Sequence, residues 1–153
     1  MFLLFALLLG VVAGLRSMLA PAIVSWFARH GVLAVANTPL AFMGFRFTPI
    51  ILTVFAVGEL IADKLPKTPS RKAPSGFIAR IVTGALSGAT VGAAGHSLAA
   101  GLILGVIGAV AGTFGGAAAR AKLAAAFGRD LPAALLEDVV GIAIAVFCLM
   151  VIK

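Results

Sequence analysis

"GLRSMLAP", residues 14–21, lies midway along the first apolar run of the chain, and the placement of its arginine decides the fold. Arg16 keeps its charge at any accessible pH, and a charge in hydrocarbon is costly. Either the run is not a membrane segment, or Arg16 faces something polar inside one. Composition settles the first choice. The chain has 153 residues, of which 62% are hydrophobic and 11% charged. Its mean hydropathy is +1.19. Soluble domains average roughly 45–50% apolar and ~25% charged residues. The chain therefore reads as a single transmembrane domain over residues 1–153, with apolar sequence enough for several spans of ~20 residues each.

Outward from Arg16, the first run extends from Met1 to about Phe27. A signal peptide is the competing reading, but no Lys or Arg precedes the apolar core and the run continues past Arg16 to Trp26. A retained first span is expected, kinked by Pro21, which lacks a backbone donor. A loop follows from about Gly31 to Arg46. The second run starts near Phe47 and ends in "GELIADKLPKTPSRKAPS" (58–75), which sets Glu59 and Asp63 one helical turn apart. Pro66, Pro69 and Pro74, mixed with Lys64, Lys67, Arg71 and Lys72, mark an exposed loop. From Phe77 to Ala119 the sequence is nearly uncharged and too long for one span, so two helices are expected, near 77–95 and 98–119, with the turn at Gly95, His96 and Ser97. Gly84, Gly88 and Gly92 form a small face on one. Gly101, Gly105, Gly108, Gly112 and Gly116 form another on the next, and such faces let membrane helices meet closely. After a polar segment holding Arg120, Lys122 and Arg129, Asp130 reads as the N-cap of a last span over about 133–152.

The expected fold is thus an all-α, polytopic transmembrane helical bundle of about five spans. Basic residues set its orientation. Lys64, Lys67, Arg71, Lys72, Arg80, Arg120, Lys122 and Arg129 fall on one side, and Arg29, Arg46 and Lys153 on the other. This bias places the N-terminus and the Pro-rich loop in the cytoplasm and the C-terminus outside. "GVVAGLR" (10–16) echoes "GAVAGTF" (108–114) in spans one and four, which would cross in opposite directions, as in an inverted repeat.

The net charge of +7 is accounted for by topology rather than nucleic acid, since basic and aromatic residues are not interleaved as in single-strand binders. With Cys148, His30 and His96 alone, no metal cluster or cofactor is expected. Ser17 and Ser25 lack a nearby His, and "GTFGG" (112–116) lies inside a span, so no enzyme is expected. The chemistry concentrates in Arg16, Glu59, Asp63, Glu137 and Asp138, expected to line one cytoplasm-facing cavity as a solute or ion site. Arg16 is expected to pair with Glu59 or Glu137, because intramembrane charges usually face the bundle interior and pair.

"GLRSMLAPAIVSW", "GELIADKLPKTPSR" and "GAVAGTFGGAAARAKLAAAFGRDLPAALLEDVV" together resemble a family of small bacterial membrane proteins, domain of unknown function family 4126. The resemblance covers nearly the whole chain and implies a short multi-pass protein of the bacterial inner membrane. It implies no substrate or site residue. Two functions fit the residues. One is a small transporter or channel for a solute or ion, assembled as a homo-oligomer in membrane lipid. The other is a non-transporting scaffold whose basic Pro-rich loop binds a partner or anionic lipid.

Overall fold

A computed structural model describes residues 1–63 and 73–152. Among them all regular structure is helical: α1 (Phe2–Leu15), α2 (Leu19–Arg29), a 3-10 turn (Ala41–Gly44), α3 (Thr48–Ala62), α4 (Pro74–Ala94), α5 (Leu98–Phe127) and α6 (Asp130–Ile152). The Pro-rich stretch 64–72 and Lys153 lie outside the described residues. Three helices, α4, α5 and α6, are long and apolar enough to cross a membrane, whereas α1 and α3 are shorter apolar helices.

The first apolar run is not one span. It breaks at Arg16, whose backbone is extended (φ −139°, ψ 111°). The break falls one turn before Pro21 rather than at it. In a continuous helix the Pro21 ring would collide with the carbonyl of Ser17, four residues earlier. Placing Ser17 outside a helix makes Pro21 the third residue of α2, in the first turn, where a missing N–H costs nothing.

The helices pack through bare backbone. α5 carries two glycine seams. Gly101 and Gly105 meet Gly84, Gly88 and Gly92 of α4, while Gly108 and Gly112 meet Leu7, Gly10 and Val11 of α1. A Cβ on Gly92 would lie 2.7 Å from the Gly101 Cα, so the two main chains are in direct contact. Without a hydrophobic force between helices in lipid, such close approach supplies the dispersion attraction that holds them. Gly116 is buried as well, and lines a cleft toward α6 instead.

These contacts give the directions of the chain. Gly84 meets Ala109 and Gly92 meets Gly101, so α4 and α5 are antiparallel about the turn at His96, which takes φ 58°. Gly10 meets Gly105 and Gly14 meets Thr113, so α1 and α5 run parallel. This corrects the inverted-repeat parity: the echoing segments 10–16 and 108–114 are parallel neighbours. The reversal at Arg16 is the reason. α2 turns back to pack on α4 and α6, and α3 returns along α2. Gly44 lies against Ala28, and Trp26 meets Thr53. The start of α1, at Phe2, touches Gly95 at the α4–α5 turn. The end of α6 joins the same core, Cys148 and Leu149 belonging to one buried cluster with Phe5 and Leu9. Met1 and Ile152 therefore lie at the end of the bundle opposite Asp63 and Pro74, which corrects the expected separation of the two ends of the chain and the pairing of the N-terminus with the Pro-rich loop.

The remaining differences are local. α5 continues to Phe127, past the expected end at Ala119, and stops where Gly128 adopts φ 67°. Arg80, counted with the basic loop, lies buried in α4.

Candidate functional site

The break leaves backbone groups without helical partners, and side chains of other helices, Glu59 of α3 and Thr113 of α5, reach some of them. At the start of α2, the N–H groups of Ser17 and Met18 donate to Glu59 Oε1 and Oε2 at 2.9 and 2.8 Å, and the Ser17 hydroxyl donates to Oε1 at 2.8 Å. A carboxylate at a helix N-terminus is favoured by the exposed N–H groups and the helix dipole. At the end of α1, the Arg16 N–H still closes the last turn on Val12 at 2.8 Å. The Thr113 hydroxyl lies 3.4 Å from the Gly14 carbonyl, while donating to Ala109 at 2.7 Å.

Arg16 is 1% exposed. Its Nη1 lies 2.5 Å from Asp63 Oδ2 and its Nη2 2.6 Å from Asp138 Oδ1. The bundle interior does hold the guanidinium, but its partners are not the expected ones. Glu59 is committed to the cap of α2, and Glu137 Oε2 lies 3.6 Å from Arg120 Nη1. Asp63 and Asp138, each one position or one turn from the glutamates that were expected, take the contact instead. A helix turns about 100° per residue, so neighbours in sequence face different helices.

Arg120 is the second hub, and the sequence reading treated it only as a marker of topology. Its Nη1 donates to Asp63 Oδ2 at 2.6 Å, and Nε and Nη2 grip Asp130 at 2.9 and 2.6 Å. Asp130 is the first residue of α6 rather than the residue before it, and its carboxylate serves Arg120. A signal for this existed. Arg120 and Glu137 lie eight and nine residues either side of Gly128, and a tight turn between antiparallel helices sets such positions opposite each other.

The chain has five carboxylates, and all of them are tied to the break, directly or through Arg120. Asp63 is the bridge, because one oxygen serves both arginines. It lies just past the end of α3. Each arginine also keeps a second carboxylate, Asp138 for Arg16 and Asp130 for Arg120. Loss of the bridge would thus leave both cations paired and the α3 end released. An apolar cleft of about 130 Å³ between α5 and α6, lined by Leu15, Leu123, Leu136 and Val140, reaches Arg120 and Glu137.

No protein-family model, curated protein or solved structure matches the chain.

Proposed function

We propose that the protein is a small multi-pass transporter or channel of the bacterial inner membrane, a member of domain of unknown function family 4126, moving a small ion or solute with proton coupling. The observation that carries this reading is the helix interrupted inside the bundle, with ion-paired carboxylates from α3 and α6 gathered at the interruption. Discontinuous helices in transporters place their broken ends at the substrate and coupling-ion site. Arg16, Asp63, Asp138 and Glu137 are the residues assigned to that site. Glu59 becomes a positioning residue, since it fixes the start of α2. α3 packs on α2 and the 3-10 turn, with only Pro49 and Ala56 buried. It is held at its far end by Glu59 and Asp63, so protonation of Asp63 would loosen one element while the rest stays packed. Two packings of unequal proton affinity are what coupling requires. In this reading α3 to α6 cross the bilayer, α1 and α2 form a hairpin dipping into it, and the apolar outer faces invite a homo-oligomer. No enzymatic role is proposed.

The second reading is a non-transporting scaffold, favoured by the mutual pairing of Arg16 and Arg120 with carboxylates, which a static core would also show. Proteoliposomes carrying a pH-sensitive dye separate the two. Under an imposed pH gradient, proton flux dependent on one of a panel of small ions or solutes, and lost in Asp63→Asn, supports transport. Leak equal to that of empty vesicles across the panel supports the scaffold.

A further inference from the structure

The end of the bundle away from the ion pairs has a different chemistry. Between Ser17 and Gly58 the chain holds Arg29, His30 and Arg46 and no Asp or Glu. The fold gathers these beside exposed aromatic rings. Trp26 stacks on His30 with centroids 6.0 Å apart and planes 18° from parallel. Its indole N–H donates to Thr53 Oγ1 at 3.0 Å, which fixes the ring. Gly44 packs against the Ala28 main chain, where a Cβ would lie 3.3 Å from the Ala28 oxygen. The same position lies 3.7 Å from the Arg29 main-chain nitrogen, so the segment Phe45–Phe47 leaves from the end of α2 that carries Arg29 and His30. The Arg46 guanidinium lies 5.8 Å from the centre of the Phe47 ring. Phe42, Phe45 and Phe47 are 41%, 62% and 66% exposed, and Arg29, His30 and Arg46 are exposed too.

Bulk water suits the arginines and not three open phenylalanines. Hydrocarbon suits the phenylalanines and not the arginines. The boundary between headgroups and acyl chains suits both, and amphipathic rings and long basic side chains concentrate there. A guanidinium also matches phosphate through paired N–H donors. We infer that this end is a docking surface for anionic phospholipid, with Trp26, Phe42, Phe45 and Phe47 at headgroup depth and Arg29 and Arg46 on lipid phosphates. The absence of any carboxylate from this stretch gives the surface the sign that an anionic lipid requires. The inference rests on the membrane reading and not on transport. It also sets the depth of the break: α3 climbs about 1.5 Å per residue, so Glu59 lies about 18 Å beyond Phe47, within a hydrocarbon core ~30 Å thick.

Trp26 is the only tryptophan, so its fluorescence reports this surface without labelling. The intact protein would be reconstituted in phosphatidylcholine vesicles containing brominated phosphatidylcholine or brominated phosphatidylglycerol, with bromines near the headgroup or at mid-chain. Quenching should be strongest for bromines near the headgroup. At equal mole fraction the brominated phosphatidylglycerol should associate more strongly, by about fivefold for each arginine engaged, the factor given by ~1 kcal/mol per basic residue at a membrane surface. Arg29→Gln and Arg46→Gln, both on the surface, should each lower that preference while leaving the depth and the helical circular dichroism unchanged. Equal quenching by the two headgroups would overturn the proposal, as would strongest quenching at mid-chain. Quenching by neither lipid would mean that protein covers the surface, and abolition of the preference by millimolar inorganic phosphate would mean a site for free anions. Either result overturns it as well.

Discussion

At the scale of single residues, Arg16 shows how a buried charge is tolerated. Its two carboxylates come from helices distant in sequence, and the cost of stranding any member is high. Removing one partner of a buried pair typically costs about 3–5 kcal/mol, much of it from the charge left behind. Arg16→Met should therefore lower the melting temperature in detergent strongly. Arg16→Met with Asp138→Asn should melt higher than Arg16→Met alone, since one of the two charges that lost the guanidinium is then gone. Equal melting of the single and double variants would mean that Asp138 does not depend on Arg16. The sequence displayed Arg16, Asp63 and Asp138 plainly as intramembrane candidates. It did not tell which carboxylate meets which guanidinium, because that depends on helix rotation and offset.

At the scale of elements, the break and the glycine seams make separate demands. Glu59→Ala would leave the Ser17 and Met18 N–H groups without their acceptor. A hydrogen bond to a charged group contributes about 1.5–3 kcal/mol, so thermal stability should fall by about that much, with the effect concentrated at α2. Hydrogen exchange at residues 17–22 should accelerate more than in α5, and a uniform change would contradict the capping role. Gly105 stands where α1, α4 and α5 meet. A Cβ there would drive into the Gly84 carbonyl, which is main chain and cannot swing aside. Gly105→Ala should cost about 1–3 kcal/mol from overpacking. Gly115, in the same helix, has nothing within 4 Å of a Cβ, so Gly115→Ala should be neutral or gain up to ~1 kcal/mol of helix propensity. Similar melting of the two variants would remove the seams as interfaces. These seams were legible, because small residues at helical spacing leave a face that only another backbone can fill. The break was half legible: Pro21 announced it, but its position one turn earlier follows from what Pro does to the residue four before it.

At the scale of the whole molecule, the reversal at Arg16 sets the topology. If the basic end of the bundle faces the cytoplasm, as the distribution of Lys and Arg leads one to expect, both termini are expected on the other side. In a Cys148→Ala background, cysteines placed ahead of Met1 and after Lys153 should label with an impermeant reagent in intact cells, and Ser70→Cys should label only after permeabilisation. Labelling of one terminus without the other would contradict the alternating directions of the six described helices. The counting of basic residues does not change between the two topologies, because Arg29 and Arg46 stay opposite Asp63 and Pro74 in both. Only the N-terminus moves, and it carries no basic residue near it to announce its side.

The sequence by itself determined a helical membrane protein, the helix pair flanking His96, the small-residue faces and the residues that carry charge into the bundle. Each of these follows from local composition and periodicity, since the bilayer forces apolar runs into helices and leaves few charges inside. The tertiary structure alone decided that the first run folds back at Arg16, that α1 lies parallel to α5, and that Arg120 joins Arg16 through Asp63. Those outcomes depend on where helices meet in space. An ion pair between residues 16 and 138, or a cap between 17 and 59, leaves no periodic trace in the sequence, because each is fixed only when the glycine seams have set the helices side by side.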